Sequence, residues 1–196
     1  MSVIKVWSTN WYSFFMECSM KKEKLYLYNI SSKYVAELHK LDKHVFYHHG
    51  LHDRPYVGIL IKLDNFNYFA PLGSPKKKHK KINENITFSK INYRNQFLGV
   101  INFNNMIPAP KSMFQKINIQ KIEDSKYSNL LSSQLRAIQK HSNKYKHKAN
   151  ILRMKVKKHE LESKQLEICN DFETLERHIY IVEEKLLKFT TVNKNN

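Results

Sequence analysis

The chain has 196 residues, with 34 Lys+Arg against 17 Asp+Glu, a formal net charge of +17, 41% hydrophobic and 12% aromatic residues. That content excludes wholesale disorder, and the length suffices for one domain with a core or a domain plus a helical appendage. No run of about 18 apolar residues occurs, so no transmembrane helix is expected, and the charge excess favours a polyanion, either nucleic acid or an acidic membrane surface.

The start, Met1 to Tyr12, lacks the charged head and continuous apolar run of a secretory signal. Cys18 and Cys169 are the two cysteines and lie far apart, which points to a reduced, cytoplasmic setting rather than a disulfide scaffold. There is no Cys/His cluster with zinc spacing, no Walker loop and no dinucleotide fingerprint, so neither metal nor cofactor is expected. Residues 1–22 hold both tryptophans without a clear period and read as an extension.

From Lys24 to Ile30 the alternation predicts a first strand. Ser31 or Ser32 caps an early helix with Val35, Leu38 and Leu41 at helical spacing. Lys33 and Tyr34 fall in its first turn, where free backbone N–H groups and the helix dipole can hold an anion. Tyr34 reads equally well as a core aromatic. His44 to Arg54 is a polar loop, with His48, His49 and His52 at no metal-binding spacing. Pro55–Leu63 and Phe66–Ala70 form a hairpin around Asp64-Asn65. Next comes Pro71-Leu-Gly-Ser-Pro75, which reads as a stiff turn, and the cationic run Lys76, Lys77, Lys78, His79, Lys80 and Lys81. A turn that restricted can hold Ser74 and Lys76 in a fixed relation, as a phosphate site needs; a solvated lysine loop is the competing reading.

Further strands are expected at Ile86–Ile91, Phe97–Phe103 and Met113–Ile119, with Pro108 and Pro110 breaking the chain between the last two. From Asp124 the period becomes helical, with Ser125 as cap and Tyr127, Leu130, Leu131, Leu135, Ile138 and Tyr145 in register. Two more helices are expected, one over Ile151–Ile168 and one from Phe172 past Leu186, with a frayed tail from about residue 189. Lys140 to Lys158 contains basic residues and no acidic one, and Lys144, Lys146, Lys148, Arg153 and Lys155 suit a track for backbone phosphates. The fold class is α+β, a strongly bent antiparallel sheet or small barrel with an early helix and a C-terminal helical region. One domain is expected over 23–188, β-rich to about residue 122 and helical from 124.

Metal-free RNA cleavage requires deprotonation of a 2′-OH, stabilisation of phosphorane-like charge and protonation of the leaving 5′-oxygen. Ser74, Lys76, Lys33, Arg54 and Tyr34 supply charge and hydroxyl donors, with His79 a proton carrier. Carboxylate pairs for Mg²⁺ are lacking on the motif-bearing strands.

Four motifs recur in an order that resembles a known family: Tyr28-Asn-Ile-Ser-Ser-Lys-Tyr34, Arg54-Pro-Tyr-Val-Gly-Ile-Leu60, Tyr68-Phe-Ala-Pro-Leu-Gly-Ser-Pro-Lys-Lys77, and Leu98-Gly-Val-Ile-Asn102 with Met106-Ile-Pro108. Together with Tyr127 to Ile138 they resemble ToxN/AbiQ, the endoribonuclease toxins of type III toxin–antitoxin systems. The resemblance covers roughly residues 24–178. It implies a core related to the MazF/Kid toxins and metal-independent cleavage leaving 2′,3′-cyclic phosphate and 5′-hydroxyl ends at A-rich sites. It also implies a repetitive antitoxin RNA of pseudoknots that the toxin processes, a closed assembly of the 3:3 kind, and a role in phage abortive infection. Ser74 and Lys76 match the family's catalytic serine and lysine, Tyr34 and Lys33 its helix-start pair, and Arg54 a usual basic position. Gly73 departs from a family threonine, and its bare amide can approach a phosphate instead. Two other classes compete: an RNA-binding protein or degenerate toxin that does not cleave, and, ranked last, a peripheral membrane protein.

Overall fold

The computed structural model describes residues 24–47 and 56–192. The expected N-terminal extension, Arg54 and the histidines at 48, 49 and 52 lie outside them. Among the described residues seven strands form one antiparallel sheet: β1 (Leu27–Ile30), β2 (Tyr56–Leu63), β3 (Phe66–Gly73), β4 (Phe88–Tyr93), β5 (Gln96–Asn102), β6 (Ile107–Pro108) and β7 (Phe114–Lys116). The order is β4-β5-β3-β2-β1-β7, with β6 paired to β3. Since β4 and β7 end the path unpaired with each other, the sheet is open. The small-barrel alternative is thereby corrected.

The β2–β3 hairpin is the centre. Asp64 turns it with φ 50°, a conformation Asp tolerates, and the pairing runs from Leu63↔Phe66 to Gly58↔Pro71. Here the structure departs from the expected turn after Ala70. The strand continues through Pro71 and Leu72 to Gly73 because β3 changes partners: Leu72 and Gly73 pair with Ile101 and Val100 of β5. Proline, which lacks an N–H, stands at the change, where a ladder donor is dispensable. Arg94 and Asn95 (φ 48° and 60°) make the two-residue turn of the β4–β5 hairpin, the mirror-image type that matches strand twist.

The described residues also form six α-helices: α1 (Ser32–Leu41), α2 (Lys77–Lys81), α3 (Ser125–Lys140), α4 (Ser142–Lys157), α5 (Ser163–Leu166) and α6 (Phe172–Val192). The cap of α3 is Asp124, whose Oδ1 accepts from the Tyr127 amide at 3.1 Å, rather than Ser125. The continuous spacing through Tyr145 conceals a break at His141, and the helix expected over Ile151–Ile168 is instead α4 followed by the short α5. His159 ends α4 in a left-handed conformation (φ 55°), and the Glu160 amide donates to the Lys155 carbonyl at 2.8 Å. The last helix runs to Val192, past the expected start of the tail.

One sheet face packs Leu27, Ile59, Ile61, Tyr68, Ala70 and Ile101 against Leu131 and Ile138 of α3 and Ala149 and Leu152 of α4. Helix α1 covers part of the other face, where Tyr34, Val35 and Leu38 meet Phe69, Ile107 and Leu175 of α6. Each fully buried Leu, Ile or Phe contributes about 1.5–3 kcal/mol. Beneath the hairpin, Glu176 is buried and accepts from Tyr68 Oη (2.5 Å), Arg153 Nε (2.5 Å) and Lys157 Nζ (2.7 Å). Arg153 also reaches Asp64 at 2.6 Å, so charges from the hairpin, α4 and α6 converge.

Candidate active site

The central strand is buried from Tyr68 to Pro71, and it then delivers Ser74, Pro75 and Lys76 into solvent. At its end the two hairpins approach closely. A Cβ on Gly73 would lie 2.7 Å from Val100 Cγ2, and one on Gly99 (φ 133°) would collide with the Gly73 carbonyl. Both glycines are therefore required by the approach of β3 to β5. The expected lysine loop is a short helix: Lys76 is the cap of α2, and the His79 amide donates to the Lys76 carbonyl at 3.0 Å. Lys76, Lys77, Lys78, Lys80 and Lys81 are exposed, whereas His79 is half-buried and its Nδ1 has no hydrogen-bond partner.

Residues absent from the sequence-based expectation hold this helix. Lys90 Nζ donates to the Lys80 carbonyl at 2.8 Å, and Lys80 Nζ lies 6.0 Å from the centre of the Phe97 ring. Glu84 accepts from the Lys90 amide (2.6 Å) and from Lys144 Nζ (3.2 Å). One signal was available: Glu84 is the lone acidic residue between Asp64 and Glu123. A single carboxylate in so basic a stretch marks a tether.

Lys33 is exposed in the first turn of α1. The registers Tyr28↔Gly58 and Gly58↔Pro71 put the end of β1 and the end of β3 at one end of the sheet. Two strand spacings separate them, about 10 Å. Lys33 and the Ser74–Lys76 turn thus flank one end of the sheet. Tyr34 is placed otherwise. It is 1% exposed and its hydroxyl donates to the Pro108 carbonyl at 2.8 Å, so it has no surface to offer a phosphate. It fixes α1 against β6 instead.

The basic helix α4 is only partly a cationic surface. Arg153 is 6% exposed and engaged with Glu176 and Asp64, and Lys148 donates to the Phe88 carbonyl (2.9 Å) and Ser89 Oγ (2.7 Å). Burial lowers the Lys148 pKa below the usual lysine value; neighbouring Lys144 acts in the same direction and Glu84 opposes it. The expectation that Arg153 binds RNA is corrected, since its guanidinium is buried against Glu176 and Asp64; Lys148 is half-buried and bonded to β4. Lys144 pairs with Glu84 from a mainly exposed position, and Lys146 and Lys155 are half-buried. Among the described residues no group of three or more His, Cys, Asp or Glu could hold a metal ion, and no helix is long and apolar enough to cross a membrane.

Residues 26–180 match the family model for the ToxN toxin of type III toxin–antitoxin systems. The chain belongs to the ToxN family. It is 33% identical over 116 residues to the endoribonuclease ToxN of Bacillus thuringiensis subsp. kurstaki, an alignment that covers 58% of this chain and 59% of that protein. It is 31% identical to the endoribonuclease ToxN of Pectobacterium atrosepticum, over 73% of this chain and 85% of the relative. A solved structure described as a type III toxin selectively inhibited by a non-coding RNA pseudoknot superposes with TM-score 0.67 at 28% identity, over 83% of this chain and 99% of the other. The fold is also that of AbiQ, a lactococcal anti-phage endoribonuclease, with TM-score 0.71 at 22% identity over 82% and 99% of the two chains. The matched span contains β1 through the first part of α6, and with them Lys33, Ser74 and Lys76.

Proposed function

We propose that the chain is an endoribonuclease toxin that cleaves RNA without a metal ion at the Ser74–Pro75–Lys76 turn. The observation that carries this reading is the exposed turn itself, delivered by the buried central strand and flanked by the lysine helix and Lys33. The names of the relatives support it. In the reaction the 2′-oxygen bonds to phosphorus as the bond from phosphorus to the 5′-oxygen breaks. The 2′-proton leaves to water, and the 5′-oxygen takes a proton. Lys76 donates that proton or balances the phosphorane charge, Ser74 hydrogen-bonds a non-bridging oxygen, and Lys33 and Arg54 neutralise the flanking backbone. Lys77, Lys78, Lys80 and Lys81 hold the strand electrostatically rather than cutting it.

The regulator is, on this reading, a repetitive antitoxin RNA folded as pseudoknots, processed by the toxin and held with it in a closed 3:3 assembly in the cytoplasm. Cellular or phage RNA is the target when that RNA is lost. The bent sheet corresponds to a MazF/Kid-like core. The test is to incubate purified protein with RNA in EDTA and map the ends. Fragments with 5′-hydroxyl and 2′,3′-cyclic phosphate ends are expected; intact RNA, or cleavage only with Mg²⁺, rejects the mechanism. Gly73, which places no hydroxyl before Ser74, favours one second reading, an RNA-binding protein that does not cleave. A salt-dependent gel shift with unchanged RNA would identify it.

A further inference from the structure

Past Pro71 the two sides of the sheet are occupied differently. Ile101 lies in the core beneath α3, and the position of a Gly99 Cβ is 3.2 Å from Gln134 Nε2 of that helix. By strand alternation Val100 and Asn102 point to the opposite face, which is also the face of Gly73. A Cβ on Gly73 would be 2.7 Å from Val100 Cγ2 and 3.1 Å from Asn102 Nδ2. The same face carries α1 over Phe69 and α2 through the Lys80–Phe97 contact. Gly73 and Asn102 therefore lie in the floor between the two helices that present Lys33 and the lysine run.

Asn102 is half-buried, and its side-chain amide makes no hydrogen bond among the described residues. Asn85, by contrast, accepts from the Thr87 amide at 2.9 Å. The Asn102 amide lies against the bare backbone of Gly73, next to Ser74. Its N–H is a neutral donor in a cationic setting, suited to an anionic oxygen.

We propose that Asn102 is a further substrate-contacting residue, whose side-chain amide donates to a non-bridging oxygen of the RNA phosphate held at the Ser74–Lys76 turn. This rests on the endoribonuclease reading above. It also gives Gly73 a role in substrate binding: a Cβ there would press on Val100 and crowd the amide.

The test compares the unaltered chain with Asn102→Ala and Asn102→Asp on an end-labelled RNA carrying a mapped cleavage site. Loss of a donor to a charged oxygen lowers kcat/KM about 10- to 100-fold, with the melting temperature near its original value. Asn102→Asp keeps the shape but replaces the donor with a negative charge, and it is expected to be worse than Ala. A second arm measures filter binding of the same RNA with a 2′-deoxy nucleotide at the cleaved position, which both variants should bind more weakly. Unchanged kcat/KM in Asn102→Ala overturns the proposal, as does a loss of activity that merely tracks a lowered melting temperature. If the unaltered chain cuts no RNA, the enzymatic reading fails separately, and equal binding by all three proteins then overturns the role of Asn102.

Discussion

Lys76 stands in solvent at the end of a buried strand, so its truncation removes charge without opening a cavity. Such surface changes stay within about 0.5 kcal/mol. Lys76→Ala is therefore expected to keep the melting temperature while cleavage of RNA falls about 100-fold or more. A rate equal to that of the unaltered chain would remove Lys76 from the mechanism. Tyr34 predicts the converse. Tyr34→Phe leaves the buried Pro108 carbonyl without its donor and should cost about 1–2 kcal/mol in chemical denaturation, with kcat and KM retained. A fall in kcat at undiminished stability would return the hydroxyl to the phosphate. The sequence distinguished these two residues only in part. The spacing of Tyr34, Val35 and Leu38 already fits a core stripe, whereas the partner of the hydroxyl lies 74 residues away. Asn102 enters the sequence reading only as the end of a family motif, since its meaning comes from its neighbour across the strands.

Among the elements, α4 and α6 are joined to the hairpin by charge as much as by apolar packing. Burial alone would raise the Glu176 pKa, but hydrogen bonds from Arg153, Lys157 and Tyr68 outweigh it and hold the carboxyl below the usual glutamate value. A depressed carboxylate contributes stability above its unfolded pKa of about 4.3, and that contribution disappears as pH falls through the folded value. Glu176→Gln should therefore lower stability at neutral pH by about 3–5 kcal/mol, leaving Arg153 without its buried counter-charge. It should also flatten the loss of stability below about pH 4.3. Denaturant titrations at pH 7 and across the acid range check both; an unaltered acid limb would assign it to another carboxylate. Strands and hairpins were legible because alternation and turn residues are local signals. The break at His141 was not, since neither glycine nor proline marks it, and His159 occupies a left-handed cap where glycine is usual. Arg153 reads as a phosphate ligand in the sequence because its partners Asp64 and Glu176 lie 89 and 23 residues away.

At the scale of the molecule, the excess charge is divided between scaffold and surface. Lys33, Lys76, Lys77, Lys78, Lys80 and Lys81 are exposed around one end of the sheet, whereas Arg153 is buried and half-buried Lys148 is bonded to Phe88 and Ser89. If each exposed lysine meets one phosphate of a single strand, six contacts give a slope of log K against log salt of about −4. Binding titrations over a range of NaCl measure it. Replacing two of the α2 lysines by alanine should reduce the slope by about 1.4, at about 0.7 per contact. The same slope in that double variant would place the RNA elsewhere.

Because β3 belongs to one hairpin up to Pro71 and to the next from Leu72, the candidate catalytic turn is attached at a joint between two local folding units. Amide hydrogen exchange should resolve them. Ile59 and Ile61, in the middle of β2, should exchange only with global opening, whereas Leu72 and Gly73 should exchange through a smaller, local one. A bound RNA strand lying across both hairpins would slow the second set far more than the first. The time for which the joint stays shut would then be set by the substrate, and the toxin would gain its rigidity at the moment it acts.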